Sequence, residues 1–163
     1  MTTKPERLSS PRTGSPRGRL PREASLGYQV NHLARLLERA LRLRIEEYGV
    51  VPGQFAQLLA LYEQEGITQR ELCERVQIEQ PTMANTLQRM ERDGLIHRVP
   101  DPRDRRQAKV LLSDRARDLQ EPLVAAAREI NGAATGGLDA SEIALLLSLI
   151  ARAIENLESL GRA

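Results

Sequence analysis

The chain is poor in aromatic residues and in cysteine. Its 163 residues include one Phe, three Tyr, no Trp and a single cysteine, Cys73. One cysteine excludes an internal disulfide, and with only two distant histidines a structural zinc site of the usual spacing is excluded too. A core with so few rings must consist mainly of Leu, Ile, Val and Ala, which favours helices packed on helices. The sequence therefore predicts a mainly α protein.

Several motifs are also missing. No stretch approaches the roughly 18 apolar residues of a membrane span. The N-terminus lacks the apolar segment of a signal peptide, so we expect a cytoplasmic protein without a membrane partner. There is no glycine-rich phosphate loop, no nucleophile elbow and no cluster of Cys, His or carboxylate residues. These absences argue against an enzyme, so we expect no catalytic residues, no metal site and no cofactor.

The net charge of +2 is unevenly spread along the chain. Residues 1–22 carry a net charge of about +5, which leaves about −3 for the remainder. Residues 1–24 also contain four prolines and no apolar periodicity. Such a composition cannot bury enough surface to offset chain entropy, so we predict a disordered basic tail. The alternative is an arm that touches DNA phosphates.

Helical periodicity occupies both flanks of the remaining chain, residues 25–49 and 114–163. In the second flank we predict a long helix from about Asp114 to Asn131 with a kink at Pro122. A capping box at Asp139 and Glu142 starts a last helix. Its apolar residues repeat at steps of four and three, at Ile143, Leu147, Ile150, Ile154 and Leu157. Such a seam packs against another helix, either within the chain or, as we prefer, in a dimer.

Residues 50–113, between the flanks, show the order of a winged helix-turn-helix. The segment "TQRE" at 68–71 is a capping box that starts a short helix to about Val76, and the turn "QIEQ" leads into a helix from about Gln80 to Asp93. Gly94 is the expected residue after that helix. The pieces "LIHRV" and "QAKVLLS" then form a β-hairpin around the charged loop "DPRDRR". Cys73 lies in the short helix, where we expect a buried small residue in preference to a redox switch.

The second helix of such a pair enters the DNA major groove and presents its N-terminal side chains to base edges. Asn and Gln can address adenine, and Arg can address guanine or phosphate. A solvated helix face is the competing interpretation, and the adjoining hairpin favours DNA. The polar positions that we expect to be exposed and to contact DNA are Gln80, Thr82, Asn85, Thr86 and Arg89.

Residues 50–116 resemble the MarR family of bacterial transcriptional regulators. The matching stretches are "VPGQFAQLLAL", "ITQRELCERV", "QPTMANTLQRMERDGLIHR" and "DPRDRRQAKVLLSDRA", and Ser113 stands where the family usually has Thr. The resemblance implies a triangular, mainly helical homodimer with a small winged hairpin. It makes residues 25–49 and 114–163 a helical dimerisation region. Double-stranded DNA with a pseudo-palindromic operator is then the expected partner.

The resemblance also assigns roles in the wing. Asp104 and Arg106 fall on the family's Asp-x-Arg motif, so Arg106 is expected in the minor groove with Asp104 as its orienting partner. A carboxylate can hold a guanidinium in one pose, which explains the mixed charges of the loop. We expect phosphate contacts from the other basic residues of the hairpin, Arg98, Arg103, Arg105 and Lys109. A salt-bridged surface loop is the alternative.

Many members of the family are released from DNA by small phenolic or aromatic-acid ligands, which implies a repressor with a small aromatic effector. A His and an Arg near one another could hold a carboxylate, and a Tyr could cover a ring. The candidate residues are Tyr28, Gln29, His32, Arg35, Gln54 and Gln57. The alternative is that these groups are dimer-interface hydrogen bonders or solvated.

Two other functions stay open at the level of sequence. The basic tail would suit a non-specific architectural DNA-binding protein. A winged-helix adaptor that binds only proteins is the other possibility, although an adaptor has no need of Arg106 paired with Asp104.

Overall fold

The computed structural model describes residues 21–102, 104 and 106–160, which form seven α-helices and three short β-strands. In chain order these are α1 (Leu26–Ile45), α2 (Pro52–Glu63), β1 (Ile67–Thr68), α3 (Gln69–Val76), α4 (Gln80–Arg92), β2 (Ile96–Pro100), β3 (Ala108–Leu112), α5 (Asp114–Asp118), α6 (Gln120–Ala134) and α7 (Ala140–Leu160). The prediction of a mainly α protein with a small β-hairpin is therefore confirmed.

The chain divides into two compact units, Met1–Ala34 and Arg35–Ala163. The described part of the first unit is a 3-10 turn at Arg22–Ala24 and the beginning of α1. The second unit holds the rest of α1, the other helices and the sheet. The predicted basic tail lies outside the described residues except for residues 21–24.

The local signals that start and end α3 and α4 act as predicted. The Thr68 hydroxyl accepts a hydrogen bond from the Glu71 amide at 3.3 Å, and the Glu71 carboxylate accepts one from the Thr68 amide at 2.7 Å. Gly94 follows α4 with φ +67°, a left-handed conformation that glycine adopts without strain. These contacts fix both ends of the helix pair.

The sheet has one strand more than the predicted hairpin. Strands β2 and β3 pair antiparallel, with Ile96 opposite Leu112 and Pro100 opposite Ala108. Strand β1 adds to the other edge of β3, with Ile67 opposite Val110. The hairpin therefore rests on the segment that starts α3, so the wing is tied to the helix pair.

The helix predicted from Asp114 is interrupted close to Pro122, as expected, but the structure has two helices with Leu119 between them and not one kinked helix. Pro122 lacks the N–H that a continuous helix would donate to the carbonyl of Asp118. The chain therefore restarts at Gln120, which places Pro122 in the first turn of α6, where a missing N–H costs little.

The core lies in the second unit, between α2, α3, α4, the sheet and the helices that follow it. It consists mainly of aliphatic and methionine side chains, as the shortage of aromatics implies, and Phe55 is its one buried aromatic residue among those described. Its largest fully buried apolar residues are Ile45, Val50, Leu58, Leu61, Leu72, Met83, Leu87, Met90, Leu95, Val110 and Leu123.

Helix α7 is capped as predicted but has no buried residue within the described chain. The Asp139 carboxylate accepts hydrogen bonds from the amides of Ser141 and Glu142 at 2.8 and 2.9 Å. Of the predicted seam, Leu147, Ile150, Ile154 and Leu157 are exposed. Among the residues that the structure describes, these four seam side chains are therefore not part of a core.

Candidate nucleic-acid interface

One face of helix α4 packs against the core, and the opposite face is exposed to solvent. Met83, Leu87 and Met90 lie on the inner face and are fully buried. The turn before the helix contains Gln77 in the left-handed region, with φ +55°, and its side chain donates to the Glu74 carbonyl at 2.6 Å. The inner packing and this turn set which side chains of α4 face outward.

Four of the five polar residues predicted on the outer face of α4 are exposed, namely Gln80, Thr82, Asn85 and Arg89. The prediction that Thr86 is exposed is wrong. Thr86 is 6% exposed, and its hydroxyl donates to the carbonyl of Thr82 at 3.0 Å. We therefore leave Thr86 out of the proposed DNA surface, because its hydroxyl bonds within the helix.

The first turn of α3 adds two polar residues that the sequence analysis missed. The Gln69 amide donates to the side-chain oxygen of Gln80 at 3.0 Å, which joins the starts of α3 and α4. Arg70 is exposed and pairs with Glu74 at 3.1 Å. The capping box at Thr68 is the signal that could have found both residues, since it marks where α3 begins.

In the wing, Asp104 acts on the backbone of Arg106. Its carboxylate accepts the Arg106 backbone N–H and the Gln107 side-chain amide, each at 3.0 Å. The Asp104 carbonyl also accepts the Gln107 backbone N–H at 2.9 Å. The expected Asp104–Arg106 pairing therefore takes a different form, an aspartate turn that bonds the main chain two residues on.

These hydrogen bonds, first that from the Arg106 backbone and then that from Gln107, lower the pKa of Asp104 below its ordinary value. The carboxylate is ionised at neutral pH and closes the wing loop, while the Arg106 side chain is exposed. Arg103 and Arg105 lie outside the described residues, so their predicted phosphate contacts stay predictions.

Arg98 and Lys109 lie on neighbouring strands of the wing, with Arg98 opposite Val110 and Lys109 opposite Val99. The Arg98 guanidinium is 3.3 Å from the Glu91 carboxylate of α4, and its Nε atom is buried without a well-directed hydrogen bond. Both residues are partly buried. A phosphate contact by Arg98 would therefore require its guanidinium to turn from Glu91.

A groove of about 330 Å³ brings the helix pair and the wing together. Three arginines, Arg70, Arg98 and Arg106, line it beside Gln69 and Gln80, and none of its lining residues is acidic. Guanidinium groups bind phosphate oxygens through forked pairs of N–H donors. The groove thus brings the Arg106 guanidinium next to the start of α4, together with Arg70 and Arg98, which pair with Glu74 and Glu91. Guanidinium donors are the groups that contact the phosphates of a DNA backbone.

The six predicted effector residues are divided between the two units. In the first unit the Tyr28 and His32 rings lie 6.1 Å apart, the Arg22 guanidinium carbon is 5.8 Å from the centre of the Tyr28 ring, and Gln29 donates to the Glu23 carbonyl at 3.3 Å. In the second unit Arg35 is exposed, whereas Gln54 and Gln57 are buried.

The Gln54 amide is already used within the chain. It donates to the Asp93 carboxylate at 2.8 Å and accepts the Val51 amide at 3.3 Å. An effector contact from Gln54 stays a prediction, and it would have to replace one of these hydrogen bonds.

A second pocket, of about 390 Å³, lies between α2, α6 and the part of α1 that belongs to the second unit, and it is mainly apolar. Its walls are Leu37, Leu41, Pro52, Phe55, Leu59, Ala127 and Ile130, with Glu38 and Asn131 as the polar groups. None of the six predicted effector residues lines this pocket. Its walls offer an aromatic ring the apolar contacts of a small-molecule site.

Cys73 is 7% exposed, as predicted for a buried small residue. Burial raises the pKa of its thiol, and the nearby charges of Glu79 and Glu74 raise it further. The thiolate is the reactive form, so this environment disfavours redox chemistry. Among the described residues no helix is long and apolar enough to cross a membrane.

Comparison with known proteins gives consistent matches. The family model described as MarR family matches residues 48–107. The transcriptional repressor NicR of Pseudomonas putida is 28% identical over 82% of this chain and 87% of its own length. A crystal structure of PcaV from Streptomyces coelicolor, in complex with its natural ligand, is 26% identical with a TM-score of 0.77 and covers 85% of this chain and 97% of that chain.

A crystal structure of a mutant MarR from E. coli, complexed with operator DNA, shares the fold. It has a TM-score of 0.73 at 22% identity and covers 78% of this chain and 92% of that chain. The helix pair, the sheet and the arginine groove define a transcriptional regulator of the winged helix-turn-helix class. YsmB of Bacillus subtilis, an HTH-type transcriptional regulator, is 31% identical over 60% of this chain and 68% of its own length. Together with the family model, this similarity shows that the chain belongs to the MarR family of such regulators.

Proposed function

We propose that the protein is a sequence-specific DNA-binding repressor that acts in the cytoplasm. The observation that carries the proposal is the groove that joins Arg70, Arg98 and Arg106 to the exposed face of α4. Phosphate contacts in such a groove position the protein, and side chains on α4 then contact base edges. NicR is a repressor, and the MarR mutant was crystallised with operator DNA, which supports the same function here.

We propose further that the protein acts as a homodimer. Helix α7 carries exposed leucines and isoleucines along the predicted seam, and α1 exposes apolar residues within each unit, Leu33 in the first and Leu36 and Leu43 in the second. An exposed apolar row along a helix, like that of α7, marks an interaction site. A twofold dimer contacts two half-sites, so the operator is expected to be pseudo-palindromic.

The experiment that tests the proposal selects bound duplexes from a random-sequence pool. The wild-type chain is expected to enrich a pseudo-palindrome, and Asn85→Ala is expected to relax selection at one base pair of each half-site. Lys109→Ala should lower the slope of log affinity against log salt by about one if Lys109 touches phosphate. A pool that stays random after selection points to the architectural alternative, and a chain that retains no duplex points to the adaptor.

We also propose that a small aromatic molecule releases the DNA, as the ligand-bound structure of PcaV suggests. The apolar pocket and the Tyr28–His32 ring pair are separate candidate positions. The pocket contains the Glu38 carboxylate and no cationic side chain, so it suits a neutral phenol better than a carboxylate. The Tyr28–His32 ring pair, with the Arg22 guanidinium carbon 5.8 Å from the centre of the Tyr28 ring, suits an aromatic acid.

A thermal-shift screen of phenols and aromatic acids distinguishes these two positions. Leu59→Trp fills the apolar pocket, and His32→Ala removes the imidazole. A ligand in the pocket should lose its shift in Leu59→Trp alone, and a ligand at the ring pair in His32→Ala alone. Equal shifts in all three proteins would exclude both positions, and no shift with any compound would exclude an aromatic effector.

A further inference from the structure

One guanidinium joins the ends of two helices that are far apart in sequence. Arg115, on α5, donates through Nη1 to the carbonyl of Asp93 at 2.7 Å and through Nη2 to the carbonyl of Tyr48 at 2.6 Å. Asp93 ends α4, and Tyr48 ends the 3-10 turn that follows α1. The last carbonyls of a helix have no partner within it, and a cation there is favourable.

The backbone around Tyr48 is shaped to admit this side chain. Gly49 has φ +67°, and a Cβ atom on it would lie 3.0 Å from Nη2 of Arg115. Any other residue at position 49 would be both strained and crowded against the guanidinium. The glycine at position 49 therefore leaves room for the hydrogen bond from Arg115 to the Tyr48 carbonyl.

Two further contacts fasten the same end of α4. The Gln54 amide, which is 3% exposed, donates to the Asp93 carboxylate at 2.8 Å. The Ser113 hydroxyl donates to the Gly94 carbonyl at 2.8 Å and also caps α5 by accepting the Ala116 amide at 3.0 Å. The end of α4 is thus held from α2 and from α5, and Arg115 connects it to the segment after α1.

A small rotation at this end is magnified at the other. At 1.5 Å rise per residue, the 13-residue α4 extends about 18 Å from Arg92 to Gln80, so a rotation of 10° moves Gln80 by about 3 Å. Adding one base pair between two half-sites increases their separation by about 3.4 Å. A change of about 10° in the direction of α4 therefore displaces Gln80 by about the length of one base pair.

We propose that Arg115 is a positioning residue that sets the angle of α4 relative to the segment after α1 and so sets the half-site spacing. The part of the proposal that concerns spacing rests on the proposed function as a DNA-binding dimer. The forked guanidinium can hold two carbonyls at once, which the single ammonium of Lys cannot do in the same geometry. Arg115→Lys keeps the charge and removes the bridge.

The first test requires no DNA. Spin labels at Arg39→Cys on α1 and Gln88→Cys on α4, in a Cys73→Ala background, report the distance between the two helices within one chain that is diluted with unlabelled protein. Arg115→Lys and Arg115→Gln should broaden or shift the distance distribution, whereas Arg128→Gln, which removes one charge from an exposed position of α6, should leave it unchanged. A distribution in Arg115→Lys identical to that of the unmodified background overturns the proposal.

The second test uses the duplex that the wild-type chain selects from the random pool, with its half-sites at the selected spacing and moved apart or together by one base pair. The wild type should bind the altered duplexes at least about tenfold more weakly, because one of its two recognition helices then loses register with its half-site. Arg115→Lys should bind all three duplexes within about threefold of one another. The salt slope should not change. A merely structural residue would lower the melting temperature and keep the wild-type spacing ratio, and that result overturns the proposal.

The two tests separate the two claims. Failure of the wild type to select any duplex, together with a broadened label distance in Arg115→Lys, overturns the proposed DNA-binding function and leaves Arg115 as the residue that sets the helix angle. Specific binding by the wild type with an unchanged spacing ratio in Arg115→Lys overturns the role of Arg115 alone.

Discussion

Replacing Gln54 with Leu removes one hydrogen bond at the end of α4 and one at the start of α2 while nearly preserving side-chain volume. The wild-type amide donates to Asp93 at 2.8 Å and accepts the Val51 amide at 3.3 Å. A typical hydrogen bond contributes about 1 kcal/mol net, and one to a charged group about 1.5–3 kcal/mol. The side chain of Asp93 is 29% exposed and recovers part of its solvation in the variant, so we expect a loss of about 1–3 kcal/mol.

The pH dependence of that loss provides a second observable. The hydrogen bond from Gln54, and after it that from Arg92, lowers the pKa of Asp93 in the folded protein. A carboxyl group with a lowered folded-state pKa stabilises the fold above its unfolded pKa and loses that contribution as pH falls through the folded value. The difference in free energy of unfolding between wild type and Gln54→Leu should therefore have its full size at pH 7 and become smaller below about pH 3.9.

Urea denaturation of both proteins at equal chain concentration, from pH 7 down to pH 3, measures the difference directly. Gln88→Leu is the matched control, because Gln88 is exposed on α4 and such surface changes stay within about 0.5 kcal/mol. A Gln54→Leu protein as stable as wild type at pH 7 would refute the inferred hydrogen bonds. A deficit that stays constant into acid would refute the role of the Asp93 charge.

Three other changes have defined outcomes. Gln77→Val should be at least about 1 kcal/mol less stable than Gln77→Gly in urea denaturation, since only glycine adopts φ +55° without strain; equal stabilities would contradict that backbone geometry. Burial raises the pKa of Tyr62 to about 12. The neutral hydroxyl therefore makes its full contribution to the free energy of unfolding below about pH 10, and that contribution is lost as pH rises towards 12. Tyr62→Phe should show a shallower alkaline loss of stability, and an identical alkaline profile would contradict this assignment. Asp104→Ala should weaken binding to the selected duplex severalfold in fluorescence anisotropy, whereas Asp104→Asn, which keeps an acceptor oxygen for the Arg106 amide, should weaken it less; equal losses would point to the charge itself.

Local signals in the sequence were sufficient for much of the helix pair. The Thr68–Glu71 box, Gly94 and the Asp139–Glu142 box each act within three or four residues, and each is found where it was predicted. The spacing of the apolar residues correctly predicted that Met83, Leu87 and Met90 lie on the inner face of α4. These features depend on contacts that a short window of sequence contains.

The features that the sequence did not reveal depend on distant partners or on exact helix phase. Strand β1 has two residues and exists because β3, more than 40 residues later, pairs with it. Thr86 has the polarity of a surface residue, and only the packing of α4 shows that it is buried. The bridge from Arg115 to Tyr48 spans 67 residues and ends on backbone carbonyls, which have no sequence signature.

The wing illustrates a mixture of both cases. The resemblance to the MarR family implied that Asp104 orients the Arg106 guanidinium, and in the structure the Asp104 carboxylate accepts a hydrogen bond from the Arg106 backbone instead. Whether the carboxylate meets the guanidinium or the main chain depends on the turn geometry, and the structure gives the main chain. Asp104 therefore shapes the loop that presents Arg106.

The most direct test of the proposed function compares affinity for the selected duplex with affinity for a scrambled duplex of the same composition across a salt titration. Specific recognition by α4 and the wing predicts a preference of at least about 10³-fold at physiological salt, and Arg106→Ala should reduce affinity for the selected duplex. Equal binding of both duplexes at every salt concentration would contradict sequence-specific recognition and favour an architectural DNA-binding protein.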